Sequence, residues 1–188
     1  MRAFTAAVAA RVLDAAPRVP VRSAETLRAH FPGLGVEEIA DRLVAGAVRS
    51  SSAVGAGVGA AAMLPVPPAM PAELAVELVG VATVELKLVA ELHEIYGNRA
   101  PGNAGQRAAA YLSAWTEQRG IDPLRPGTLG AASGSGLRRR LRKEIARRTL
   151  RNLPNLAPVL AGAAVGAVLN RRETARLAER VRADLACA

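Results

Sequence analysis

Three side chains on one stretch of the chain have the chemistry of acid–base groups. Glu85, Glu91 and His93 lie within Ala72–Tyr96, which reads as a single helix because its apolar residues recur at helical spacing. At about 100° per residue, Glu73, Glu77, Lys87, Glu91 and Glu94 fall on roughly a third of the wheel and form an acidic face. Glu85 and His93 fall away from it, among Leu78, Ala82, Leu86 and Val89. A carboxylate in such company must be paired or protonated. It is either a general acid or base, or a structural group bonded to an arginine from another helix, and the second reading is the expectation. Glu85 and His93 are separated by about 12 Å along the axis, too far to form a dyad. The other histidine is His30 and the one cysteine is Cys187. This set makes neither a metal cluster nor a nucleophilic triad. Neither catalysis nor a metal or cofactor is expected.

The other chemistry on offer is cationic. Formal net charge is +9, and residues 98–153 hold twelve basic and three acidic side chains, whereas residues 53–97 hold one basic and five acidic. The positive field therefore comes from one segment. Within it, Leu137–Leu153 reads as a basic amphipathic helix. Its cations are Arg138, Arg139, Arg140, Arg142, Lys143, Arg147, Arg148 and Arg151, with Arg140, Lys143, Arg147 and Arg151 on one face. Leu137, Leu141, Ile145, Leu150 and Leu153 form the opposite side, and Glu144 is spaced to pair with Arg140 and Arg148. Such a helix suits an anionic membrane surface. It also suits nucleic acid, although the stretch lacks aromatic platforms for unpaired bases. A solvated bundle helix has the same pattern. The loop before it, Gly127–Gly136, lacks the Gly-Lys-Ser/Thr ending of a phosphate loop and reads as a linker.

Two uncharged runs must be accommodated by the fold. Residues 50–72 carry no charge, but Pro65, Pro67, Pro68 and Pro71 interrupt them. The helical part, Ser50 to about Leu64, is roughly 22 Å long, short of a hydrocarbon core of about 30 Å. Residues 154–170 form the second run and contain Pro154 and Pro158. Each carries a small-xxx-small pair, Gly55 with Gly59 and Gly162 with Gly166, which lets two helix backbones approach closely. The expectation is that these two helices pack together. The proline connector presents Met63, Leu64, Val66 and Met70 as an apolar tip, to be covered by the protein, a partner or lipid. At the N-terminus, Arg11 interrupts the apolar run Ala3–Ala10, which favours a short amphipathic helix over a secretory signal.

These segments belong to an all-α chain. The 188 residues are 51% apolar and 3% aromatic, so aliphatic side chains drive burial and strand-forming residues are scarce. Helices are expected over Ala3–Ala16, from the Ser23 cap through Phe31, from Val36 through Leu64, over Ala72–Tyr96, Ala104–Gln118, Leu137–Leu153, Ala157–Leu169 and Arg171–Ala186. Pro32–Gly35 and Gly97 mark turns. The expected architecture is one compact bundle of seven or eight helices over 1–188, made of N-terminal helices (1–35), a first apolar hairpin (36–97), a helix and linker (98–136), and the basic helix with the second apolar unit (137–188).

Leu43–Leu64, the proline connector and a helix ending Ile95-Tyr96-Gly97 resemble bacterial EcsC-family proteins. So does Leu153-Pro154-Asn155-Leu156-Ala157-Pro158, followed by Gly162–Gly166 and Leu169-Asn170-Arg171. A similar arrangement occurs in helical domains attached to some bacterial GTPases. Glu73 stands where the family pattern often has Asp. The resemblance covers about residues 36–186. It implies an all-α, membrane-associated accessory protein connected with transporter and secretion loci, on the cytoplasmic face of the membrane or in the cytoplasm. Together with the basic helix, the expected partners are an anionic membrane surface or a membrane protein complex, and association with further copies of the chain is open. It carries no catalytic residues. The alternative is a soluble helical module that binds nucleic acid through the basic segment.

Overall fold

Local signals decide where the first helices start and stop. In the computed structural model, which describes residues 2–61, 70–118, 138, 141–142, 144–147 and 160–187, helix α1 spans Arg2–Ala15 and passes into a 3-10 turn at Ala16–Arg18. Helix α2, Ala24–His30, is capped by Ser23, whose hydroxyl accepts from the Thr26 N–H at 3.2 Å. A turn with Gly33 at φ 80° leads into α3, Val36–Ala61. Helix α4 spans Met70–Ile95 and α5 spans Ala104–Gln118. Helix α6 spans Leu160–Ala186. Arg138, Leu141, Arg142 and Glu144–Arg147 are also helical. Among the described residues there is no strand, and the all-α bundle is as the sequence indicates.

The end of α4 has a clear cause. Gly97 takes φ 77°, the Asn98 N–H donates to the His93 carbonyl at 2.8 Å, and the Gly97 N–H donates to the Glu94 carbonyl at 3.2 Å. This is a Schellman ending, and the left-handed position suits glycine. The preceding Tyr96 donates its hydroxyl proton to Glu37 at 2.7 Å, tying the end of α4 to the start of α3.

Some boundaries hold and others differ from expectation. As the sequence indicates, α3 continues through Ser50–Ser52. Ser51 and Ser52 return their hydroxyl protons to the Val48 carbonyl, so the helix absorbs them. Helix α4 begins at Met70, so this tip residue and Pro71 belong to its first turn, where proline costs no hydrogen bond. The apolar run and the charged C-terminal stretch, expected as two helices, form the single helix α6. No Gly or Pro lies at their junction, and Asn170 is satisfied by donating to Glu77 at 3.0 Å.

The two apolar, glycine-bearing helices do pack together, and α3 against α6 is the most extensive pairing in the bundle. Helix α4 lies against α3, α1, α5 and α6. One core joins Val8 and Val12 of α1, Leu27 of α2, Ile39 and Leu43 of α3, and a long row on α4 including Leu78, Leu86, Val89 and Leu92. Leu112, Trp115, Leu141, Ile145, Leu177 and Val181 complete it. No helix among the described residues is long and apolar enough to cross a membrane.

Candidate functional site

The acidic face expected on α4 is not a solvent face. Glu91 and Glu94 are buried, because α4 is surrounded and both of its sides meet protein. Arg22, in the extended segment before α2, grips Glu91 with Nε to Oε1 and a terminal guanidinium nitrogen to Oε2, each at 2.8 Å. The Arg22 backbone N–H also donates to Oε1, at 3.2 Å. Lys87 donates to Oε1 at 2.7 Å and to the Pro20 carbonyl. Burial pushes the Glu91 carboxyl up, but Arg22 and Lys87 together outweigh it and hold it below the ordinary range. The cluster fastens the 19–23 segment to α4, and Glu91 is fully engaged in it.

Glu85 sits at the centre of a ladder of polar groups through the core. It is fully buried, and accepts from Trp115 Nε1 at 2.9 Å and from Thr174 Oγ1 at 3.0 Å. Thr174 Oγ1 is also 3.0 Å from Ser51 Oγ. A threonine has one hydroxyl proton, and the carboxylate is the stronger acceptor, so that proton goes to Glu85. The Ser51 proton goes to the Val48 carbonyl. Ser51, Glu85, Trp115 and Thr174 thus link α3, α4, α5 and α6. The sequence expected an arginine on Glu85; the donors described on it are an indole and a hydroxyl.

His93 is buried beside Tyr111, with ring centroids 5.4 Å apart. Its Nδ1 lies 2.7 Å from the Val89 carbonyl. A carbonyl only accepts, so Nδ1 carries the proton of the neutral ring. Burial depresses the His93 pKa, against the opposing pull of Val89 and Asp184. His30 is exposed and bonded to the Thr26 carbonyl, and Cys187 is exposed near the C-terminus. Among the described residues no cluster of His, Cys, Asp and Glu is arranged to hold a metal.

The basic stretch has two distinct sides. Arg138, Arg142 and Arg147 are exposed, whereas Leu141, Glu144 and Ile145 are buried. The apolar side is therefore part of the bundle core. Glu144 is buried on that side, and Arg140 and Arg148, to which its spacing points, lie outside the described residues. Arg139, Arg140, Lys143, Arg148 and Arg151 lie outside the described residues, as do Met63, Leu64 and Val66. Gly55 is buried in α3. Gly59 lies in α3, Gly162 and Gly166 in α6 and Met70 in α4, with surroundings outside the described residues. A close approach that sequence spacing did not single out is Gly80 on α4, where an added Cβ would stand 3.0 Å from a methyl of Val54 on α3.

A cleft of about 210 Å³ opens between the Ala16–Ser23 segment, α4 and α5. Leu86, Ala90, Val19, Val21 and Ala108 provide apolar walls, and Ser23, Glu94, Arg99, Arg107 and Tyr111 are its polar groups. Nothing in the sequence pointed to it, because its walls come from three separate segments.

No family model, no curated protein and no solved structure matches this chain.

Proposed function

We propose that the protein is a membrane-associated helical accessory protein, of the EcsC-like kind suggested by its residue pattern, that holds an anionic membrane surface through its basic stretch. One observation carries this reading. Leu141 and Ile145 are committed to the core while Arg138, Arg142 and Arg147 face outward. The described apolar residues of the stretch are thus taken up by the core and its described arginines face outward, so adhesion is by charge. Each arginine close to an anionic surface contributes about 1 kcal/mol, and the interaction fades within a Debye length. The role is that of a scaffold beside a membrane transport or secretion complex, without catalysis.

The test is co-sedimentation of the full chain with vesicles of phosphatidylcholine alone and of phosphatidylcholine with about a third phosphatidylglycerol. Binding is expected to the anionic vesicles only, and to weaken strongly between low and high salt. Arg138→Gln with Arg142→Gln should weaken it about 30-fold at low salt. Equal binding to neutral vesicles, or none to anionic ones, overturns the reading. A preference for duplex DNA over anionic vesicles at the same salt would favour the nucleic-acid alternative.

A further inference from the structure

The cleft between Ala16–Ser23, α4 and α5 has no part in the surface reading and offers a different chemistry. Tyr111 is 5% exposed and lines it. Its oxygen accepts from the Ala100 N–H at 3.3 Å, and among the described residues its own proton has no acceptor. Arg107 donates to the Gly102 carbonyl, a neutral group, so its charge is not cancelled. The one carboxylate on the wall, Glu94, is taken by Arg99 at 3.1 Å. Next to the cleft, Arg22 and Lys87 share the single carboxylate of Glu91, leaving another positive charge. A net cationic rim with an uncommitted hydroxyl donor thus stands over apolar walls made by Leu86, Ala90, Val19, Val21 and Ala108.

We infer that the cleft binds a small amphiphilic monocarboxylate, its carboxylate between Arg107 and the Tyr111 hydroxyl and its apolar body against the Leu86–Ala90 wall. The size is suitable: a closed apolar cavity of about 150 Å³ holds benzene, and this cleft has about 210 Å³ for a ring or short alkyl chain with its carboxylate. A carboxylate accepts at both oxygens, which matches a guanidinium and a phenol donating from one rim. A cationic ligand would meet like charge, and a neutral one would leave the Tyr111 proton and Arg107 less well used.

The experiment is calorimetric titration of the full chain with benzoate and hexanoate, using benzyl alcohol and acetate as controls. Benzoate should bind saturably at one site with a dissociation constant on the order of 1 mM. Benzyl alcohol lacks the charge and acetate lacks the body, and each should bind at least tenfold more weakly. Arg107→Gln should weaken benzoate about tenfold. Ala108→Leu should abolish binding by filling the cleft, with circular dichroism to establish that the variant is folded. Should it not fold, Ala104→Leu, at an exposed lining position, blocks the mouth instead. The inference is overturned if neither benzoate nor hexanoate saturates, if benzyl alcohol or acetate matches them, or if a folded cleft-filling variant still binds. The last result would mean diffuse attraction to a cationic protein.

Discussion

Glu85, Glu91 and His93 occupy one helix and meet three different environments. Glu91 is ionised and gripped by two cations, so its folded pKa is lowered. Such a group stabilises the fold above its ordinary value near 4.3, and that contribution is lost as pH falls through the folded value. Replacing Arg22 by Met should cost about 2 kcal/mol in urea unfolding at neutral pH, less than a fully broken buried pair because Lys87 remains. The deficit should shrink as the pH is lowered below 4, where Glu91 no longer needs its partner. His93 is a base with a depressed pKa. The folded state disfavours its proton, so stability is full above about 6.5 and declines as pH falls from there towards the folded value. His93→Gln should therefore flatten the urea midpoint between pH 7 and 5, leaving the acid limb of Glu91 in place. At Glu85 the readout is coupling. Thr174→Val and Trp115→Phe each remove a donor and should each cost about 1–3 kcal/mol. Their sum should differ from the double variant by at least about 0.5 kcal/mol, since both act on one carboxylate. The helical wheel placed Glu85 and His93 in apolar company correctly. It gave no sign that Glu91 and Glu94 of the acidic face are buried, because a wheel describes one helix and Arg22, the partner of Glu91, lies 69 residues away.

Among the elements, α3, α4 and α6 make the frame. Capping and turn chemistry legible in the chain held at Ser23, at Val36 and at Gly97. The boundaries that failed were at Asn170, where two helices were expected, and at Pro71, which was expected in a connector. Each of these residues is satisfied inside a helix, Asn170 by a side chain on another helix and Pro71 by a first-turn position that needs no amide. The contact between α3 and α4 can be tested at Gly80. Glycine to alanine in a helix interior gains about 1 kcal/mol of propensity, but here the new methyl meets Val54. In wild type the gain should be cancelled by that contact. In a Val54→Ala background Gly80→Ala should stabilise by about 1 kcal/mol, measured by thermal or urea unfolding of the four-member cycle. Equal effects in both backgrounds would mean that the approach of the two helices is not tight there.

Across the whole molecule, the segregation of charge and the commitment of apolar surface decide the functional reading. Arg182 joins Glu37 and Asp41, each at 2.6 Å, across the α3–α6 contact, but the two carboxylates are largely exposed and the bridges contribute little. On the proposed reading the cation-rich stretch would act through its field, so adhesion should respond to ionic strength while the polar ladder around Glu85 should not. Raising salt from about 50 to 300 mM should release the chain from anionic vesicles without lowering its urea midpoint by more than a few tenths of a kcal/mol. A parallel loss of both would tie adhesion to folding and count against a surface site. The all-α class, the helix caps, the glycine turns and the uneven charge could all be read from the chain alone, because they depend on neighbours within about one turn. The inward side of the basic stretch, the partners of Glu85 and Glu91 and the cleft beneath Tyr111 were settled by tertiary structure. They depend on side chains brought together from distant segments, and only the packing of whole helices determines which of them meet.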